Sequence, residues 1–170
     1  WKTCAPTLGA GNPKTRQDIH KVFFILFQQI LKYSKNIERF LYTMNIQTKT
    51  NSKFITKDCN GRSNGFLVTL YNVHDGFFPP GKEPQQVYLT VIAPHQIKGP
   101  HLHFIRTGCF TCIKGNARFV LKLPEGYQVF YSGECHEYRS VIVPTGIPAA
   151  LQNLGDEDAY VLNMPNPAWT

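Results

Sequence analysis

Apolar positions along the chain keep two different periods, and the change falls near Met44. Over residues 15–40, Ile19, Phe23, Leu26, Ile30, Tyr33, Ile37 and Phe40 recur at alternating steps of four and three. That spacing predicts one amphipathic α-helix, entered through a capping box at Thr15-Arg-Gln-Asp18 with Pro13 just outside it. Beyond Met44 the period falls to two. The runs VYLTVI, ARFVLKL, YQVFY, VIVP and AYVLNM read as strands. In ARFVLKL, alternation puts Ala117, Phe119, Leu121 and Leu123 on one face and Arg118, Val120 and Lys122 on the other. HDGFFPPGKEP, KGN, LPEG, YSGE, PTG and NLGDED punctuate the strands with turn residues. Short strands at near-regular spacing, with no second helical pattern, predict an antiparallel sandwich or jelly roll.

The expected organisation is therefore an N-terminal helical extension over residues 1–43 and a β-barrel domain over 44–170. At 170 residues and 42% hydrophobic content, one sizeable core is the natural expectation. For the extension, three readings stay open: a helix packed on the barrel or a partner subunit, a membrane-surface helix, or upstream sequence read in frame. Packing or a spurious extension is favoured over membrane binding. Its VFFILF run is too short to span a bilayer.

The net charge of +7 suggests a polyanion partner until it is divided. Residues 1–43 hold seven Lys/Arg and two Asp/Glu, a net of +5, while residues 44–170 hold eleven and nine, a net of +2. The barrel thus gives no electrostatic case for nucleic acid. Five cysteines, with no secretory pattern, read as reduced thiols in a cytoplasmic protein. Cys109 and Cys112 form a C-x-x-C in a strand-like run without a second pair, which favours buried strand cysteines over a zinc site.

The chemistry concentrates in QIKGPHLHFIRTG. His101 and His103 are two apart, so on a strand both imidazoles project from one face. Such a pair either helps hold a metal or moves a proton near neutral pH. Downstream, VIVPTGIPAALQN supplies Pro144 and Gly146, read as turn formers, and Asn153, which either joins the site or satisfies turn backbone. Phe104, Phe110, Phe119 and Tyr127 read as core aromatics, with stacking on a base or sugar the open alternative for each.

The spacing of these residues resembles the cupin superfamily. His101, His103 and Gly115 fit its first motif, and Pro144, Gly146 and Asn153 fit its second in register. Two of the metal-ligand positions hold Gly108 and Ala149, which disfavours a metal-dependent cupin oxygenase or isomerase. Among metal-free cupins the match resembles the dTDP-4-dehydrorhamnose 3,5-epimerases and dTDP-sugar 3,4-ketoisomerases. Lys98, Gly99 and His101 occupy the places of a basic residue, a Gly and a His on the active-site strand, and the resemblance covers roughly residues 55–167. It implies an all-β, cupin-type jelly-roll barrel, a homodimer, no cofactor, no metal, and a nucleotide-sugar substrate. It implies His101 as base with His103 beside it, and Lys98, Arg106, Gln86 and Asn153 as substrate contacts. The tyrosine acid of the epimerases falls near Asn163 and Trp169 in this register, which leaves Tyr88, Tyr127, Tyr131 or Tyr160 to substitute, with Tyr88, on the strand leading to the site, the candidate acid. The expected activity is metal-independent epimerisation or ketoisomerisation of a nucleotide-linked 4-keto-6-deoxy sugar, with His101 lining an enclosed cavity. A non-catalytic sugar-binding cupin is the alternative.

Overall fold

A computed structural model describes residues 45–169. The helix expected over residues 15–40, and the 1–43 extension with it, lie outside the described residues.

The described residues form eleven strands and one 3-10 turn. In chain order they are β1 (Thr48–Asn51), β2 (Lys53–Lys57), β3 (Ser63–Val68), the 3-10 turn (Val73–Asp75), β4 (Tyr88–Ile92) and β5 (Ile97–His101). There follow β6 (Gly108–Lys114), β7 (Asn116–Leu123), β8 (Gly126–Gly133), β9 (Tyr138–Val143), β10 (Ala149–Asn153) and β11 (Ala159–Asn163). They build a five-stranded sheet in the order β1-β9-β6-β11-β4 and a four-stranded sheet in the order β5-β10-β7-β8. A two-stranded ribbon, β2-β3, stands apart. Every pairing among these strands is antiparallel.

The core lies between the two large sheets. Ile92, Cys112, Val141, Val143, Ala159 and Val161 come from the five-stranded sheet, and Ala117, Phe119, Leu121, Leu123, Ala149 and Leu151 face them from the other. The inward face expected for ARFVLKL is thus the observed one, with all four of its residues at most 1% exposed. Its opposite face is less polar than alternation implies, because Val120 is buried against Ala150, Ile97 and Tyr127.

Several strands left no periodic trace. All five residues of β10 are buried, so PAALQN carries no alternation to detect. The long QVYLTVIAPHQIKGPH run is broken at Ala93–Gln96, where His95 adopts a positive φ of 59° and the chain turns from β4 into β5. Phe104, expected in the core, is 63% exposed, because it falls in the connection after β5 instead of on a strand.

Cys109 and Cys112 are buried strand residues on β6, and burial pushes both thiols up to about 12, so neither is a nucleophile near neutral pH. Cys59, Cys109 and Cys112 are free, whereas Cys135 is disulfide-bonded, so the expectation of five reduced thiols does not hold. Among the described residues no helix is long and apolar enough to cross a membrane.

Candidate active site

At one end of the sandwich a cleft of about 220 Å³ opens between the sheets. β4 gives it Tyr88 and Thr90, and β5 gives it Lys98 and His101. His103 and Arg106 come from the connection that follows, and Gly108 and Phe110 from β6. Val143, Pro144, Ile147, Ala149 and Leu151 complete an apolar wall.

A regular strand would send Lys98 and His101, three residues apart, to opposite faces. A bulge brings both to the cleft. Ala149 pairs with His101 and Leu151 with Lys98, so three steps along β5 answer two along β10. Gly99 sits inside that bulge at φ +100°, where a Cβ would stand 2.9 Å from the Ala149 carbonyl. Only glycine fits so close to the neighbouring backbone.

The expectation of two histidines on one strand face needs correction. β5 ends at His101, and His103 lies just beyond it. Their rings still meet at the cleft, 6.4 Å apart and tilted by 22°. His103 keeps its place through its backbone, since Gly146 N donates to His103 O at 2.8 Å. Gly146, at φ +81°, belongs to the Pro144–Ile147 turn closed by an Ile147 N to Pro144 O bond. Pro144 and Gly146 are therefore turn formers, and the turn they form holds the histidine loop.

The two rings differ in environment. His103 is half-buried, and desolvation, then the Arg106 guanidinium, then the His101 ring lower its pKa below the ordinary 6.5. His101 is exposed. It was expected in an enclosed cavity and instead stands at the mouth, because β5 is the edge strand of its sheet.

Arg106 is held from behind. Its Nε donates to Pro167 O at 3.0 Å, Nη2 to Ala168 O at 3.3 Å, and its guanidinium lies 4.1 Å over the Trp169 ring. The C-terminal segment that holds it is itself tied down. Asn166 exchanges backbone hydrogen bonds with Thr107, and Gln86 Oε1 accepts from Trp169 N at 3.0 Å. Gln86 thus braces the tail and does not line the cleft.

Asn153 also stays out of the cleft. It is fully buried, its Nδ2 donates to Ile92 O and Glu157 O, and its Oδ1 accepts from Gly155 N. Every polar group of that amide is committed to turn backbone, the structural role weighed for it.

Tyr88 does line the cleft, and its hydroxyl accepts from Asn163 Nδ2 at 2.6 Å. Asn163 is the direct cross-strand partner of Tyr88. In the sequence Asn163 has no distinguishing feature beyond its place near the tyrosine position of the resemblance.

The chemical character of the cleft follows. Two imidazoles, Lys98, Arg106 and a phenol line it, and none of the described residues that line it is an Asp or Glu. A metal site is a poor fit. Catalytic sites usually take three protein ligands, and among the described residues no three His, Cys, Asp or Glu side chains converge. Gly108 and Ala149, both in the wall, offer no donor. The cations suit an anion, and the imidazoles with the phenol suit proton transfer.

Solved structures that share this architecture include sugar 3,4-ketoisomerases and sugar epimerases. QdtA, a sugar 3,4-ketoisomerase from Thermoanaerobacterium thermosaccharolyticum in complex with TDP, is 14% identical, covering 76% of this chain and 85% of that one at a TM-score of 0.57. The rmlC epimerase of Mycobacterium tuberculosis is 14% identical, with 75% and 70% covered and a TM-score of 0.58. NovW, a 4-keto-6-deoxy sugar epimerase from Streptomyces spheroides, is 16% identical, with 75% and 68% covered and a TM-score of 0.58.

The fold is a cupin-type barrel.

No family model and no curated protein sequence matches the chain. Within the cupin-type barrel, the cleft at the end of the sandwich gathers Lys98, His101, His103, Arg106 and Tyr88 from the predicted site residues, and leaves out Gln86 and Asn153.

Proposed function

We propose that this protein is a metal-independent epimerase or ketoisomerase acting on a nucleotide-linked 4-keto-6-deoxy sugar. The observation that carries the reading is a cleft whose described lining holds two cations, two imidazoles and one phenol but no carboxylate. Its architecture is shared with sugar 3,4-ketoisomerases and 4-keto-6-deoxy sugar epimerases. One such ketoisomerase has been solved with TDP-4-keto-6-deoxyglucose.

The volume of about 220 Å³ is below the roughly 300–1,000 Å³ of sites that enclose a drug-sized ligand. It accommodates a sugar ring and leaves the nucleotide over the rim, where Lys98 and Arg106 meet the diphosphate. His101 removes the proton on the carbon next to the ketone, and the C–H electron pair moves through the new C=C bond onto the carbonyl oxygen. Tyr88 donates its proton to that oxygen as charge develops. Return of a proton to the opposite face of the same carbon gives an epimer. Return to the former carbonyl carbon, as the hydroxyl on the first carbon gives its proton to the Tyr88 phenolate and becomes the new carbonyl, gives the shifted ketone. His103, kept neutral by its surroundings, leaves the His101 ring without a second positive charge beside it.

Deuterium uptake next to the keto group of a dTDP-4-keto-6-deoxyhexose tests the reading. Uptake by wild type that is lost in His101→Ala supports it, and equally slow uptake by both sinks it. The exposure of His101 favours one second reading, a cupin that binds the sugar without turning it over. It predicts binding with no uptake.

A homodimer belongs to the same proposal. Phe54, Ile55, Phe66 and Leu67 on the β2-β3 ribbon are each at least 50% exposed, an apolar surface of the kind a second subunit covers. Sedimentation at micromolar concentration distinguishes one copy from two.

A further inference from the structure

We infer that Asn163 is a positioning residue that turns the Tyr88 hydroxyl proton into the cleft. The inference rests on the proposed isomerase reading for its catalytic meaning, and on hydrogen-bond accounting for its geometry.

Asn163 ends β11 at 2% exposure, opposite Tyr88 on β4 and Phe110 on β6. Its amide has two different ends, and each neighbour accepts only one of them. Cys109 N, wholly buried, points at Asn163 Oδ1 from 3.2 Å. A backbone N–H can only donate, so the oxygen must face it. The amide nitrogen is thereby committed to the other side, where it lies 2.6 Å from the Tyr88 oxygen. Since an amide NH₂ can only donate, the phenol oxygen must accept. The hydroxyl proton is then barred from Asn163 and left for an acceptor in the cleft that Tyr88 lines. The acceptor required by the proposed reaction is the carbonyl oxygen as it gains charge, and the Asn163 N–H also stabilises the phenolate left after transfer.

Gly108 makes the arrangement possible. A Cβ there would lie 3.1 Å from Asn163 Oδ1 and 2.9 Å from the Phe110 ring. The absent side chain thus gives the amide its place as well as widening the cleft.

The test is Asn163→Asp, which has nearly the same shape and still accepts from Cys109 N–H. At high pH its second oxygen is an acceptor and draws the Tyr88 proton away from the cleft. At low pH the protonated carboxyl donates to Tyr88 as the amide did. The expected deuterium uptake is about 100-fold below wild type in the ionised variant, with TDP affinity unchanged. Relative to wild type, uptake recovers as pH falls, and Asn163→Asp changes nothing further in a Tyr88→Phe background. A merely structural role gives a loss that no pH restores and that adds to the Tyr88→Phe loss, which overturns the inference.

A second measurement needs no turnover. With tyrosine labelled at Cζ, the Tyr88 resonance, assigned by its loss in Tyr88→Phe, follows an acid transition in Asn163→Asp that is absent from wild type. A resonance indifferent to pH in both overturns the inference. If wild type takes up no deuterium while this transition is present, the isomerase reading falls and the orientation of the hydroxyl stands.

Discussion

The backbone N–H of Gly146 donates to the carbonyl of His103 at 2.8 Å, joining the turn before β10 to the connection after β5. Residues more than forty positions apart in sequence therefore hold one imidazole in place. Gly146 is conformationally demanding and sterically open. Its φ is +81°, and a Cβ added there would meet no described atom within 4 Å. Gly146→Ala should accordingly cost only backbone strain, about 1–2 kcal/mol. Thermal unfolding checks this, and deuterium uptake should fall with it because the His103 loop loses its anchor.

Gly108→Ala tests the opposite kind of glycine. No left-handed φ is demanded there, but the added methyl meets the Phe110 ring at 2.9 Å and Asn163 Oδ1 at 3.1 Å. The expected result is a stability loss of about 1–3 kcal/mol from overpacking, with a larger loss in uptake than Gly146→Ala shows. Paired melting curves and uptake rates separate the two effects.

Asn153→Ala should damage the fold and spare the site. Three hydrogen bonds end on that buried amide, from Gly155 N and to Ile92 O and Glu157 O. Unsatisfied buried groups cost about 1–3 kcal/mol each, so urea unfolding should show a loss of that order or more. TDP affinity, measured where the variant is still folded, should match wild type.

Lys98→Ala and Arg106→Ala should each weaken TDP binding by about 10-fold or more, as expected for loss of one charge-assisted contact to a diphosphate. Trp169→Ala removes the ring beneath the Arg106 guanidinium. It should therefore weaken binding less than Arg106→Ala and add nothing to it. Calorimetric titration of TDP into wild type, the three single variants and the Arg106→Ala/Trp169→Ala double variant checks the order and the non-additivity.

The lowered pKa of His103 has a sign that can be measured. The unfolded chain takes up a proton at His103 near the ordinary 6.5, while the folded chain resists it until a lower pH. Below 6.5 the unfolded state binds more protons, so this contribution to stability is present above that value and is lost as pH falls. The melting temperature of wild type should drop between about pH 7 and about pH 5 by more than that of His103→Gln.

Much of the barrel was legible in the sequence because one-sided burial writes an alternating pattern. Ala117, Phe119, Leu121 and Leu123 show it, and the turns at Gly115 and Gly146 carry the positive φ that glycine permits. β10 was not legible, since both of its faces are covered and nothing alternates. The site was legible where residues lie close in sequence, as Lys98, His101, His103 and Arg106 do. Their directions were not. The β5 bulge, the end of that strand at His101, and the exposure of Phe104 all depend on pairing with β10, which local sequence does not encode. Asn163 was invisible as a functional residue because its meaning comes from Tyr88 and Cys109 on neighbouring strands.

Heavy-water exchange into a dTDP-4-keto-6-deoxyhexose, followed by proton NMR with wild type and His101→Ala side by side, tests whether His101 is the base. Wild type should rapidly remove a proton signal adjacent to the ketone, and the variant should remove none above background. Bound sugar whose proton signals persist equally with both proteins would contradict it.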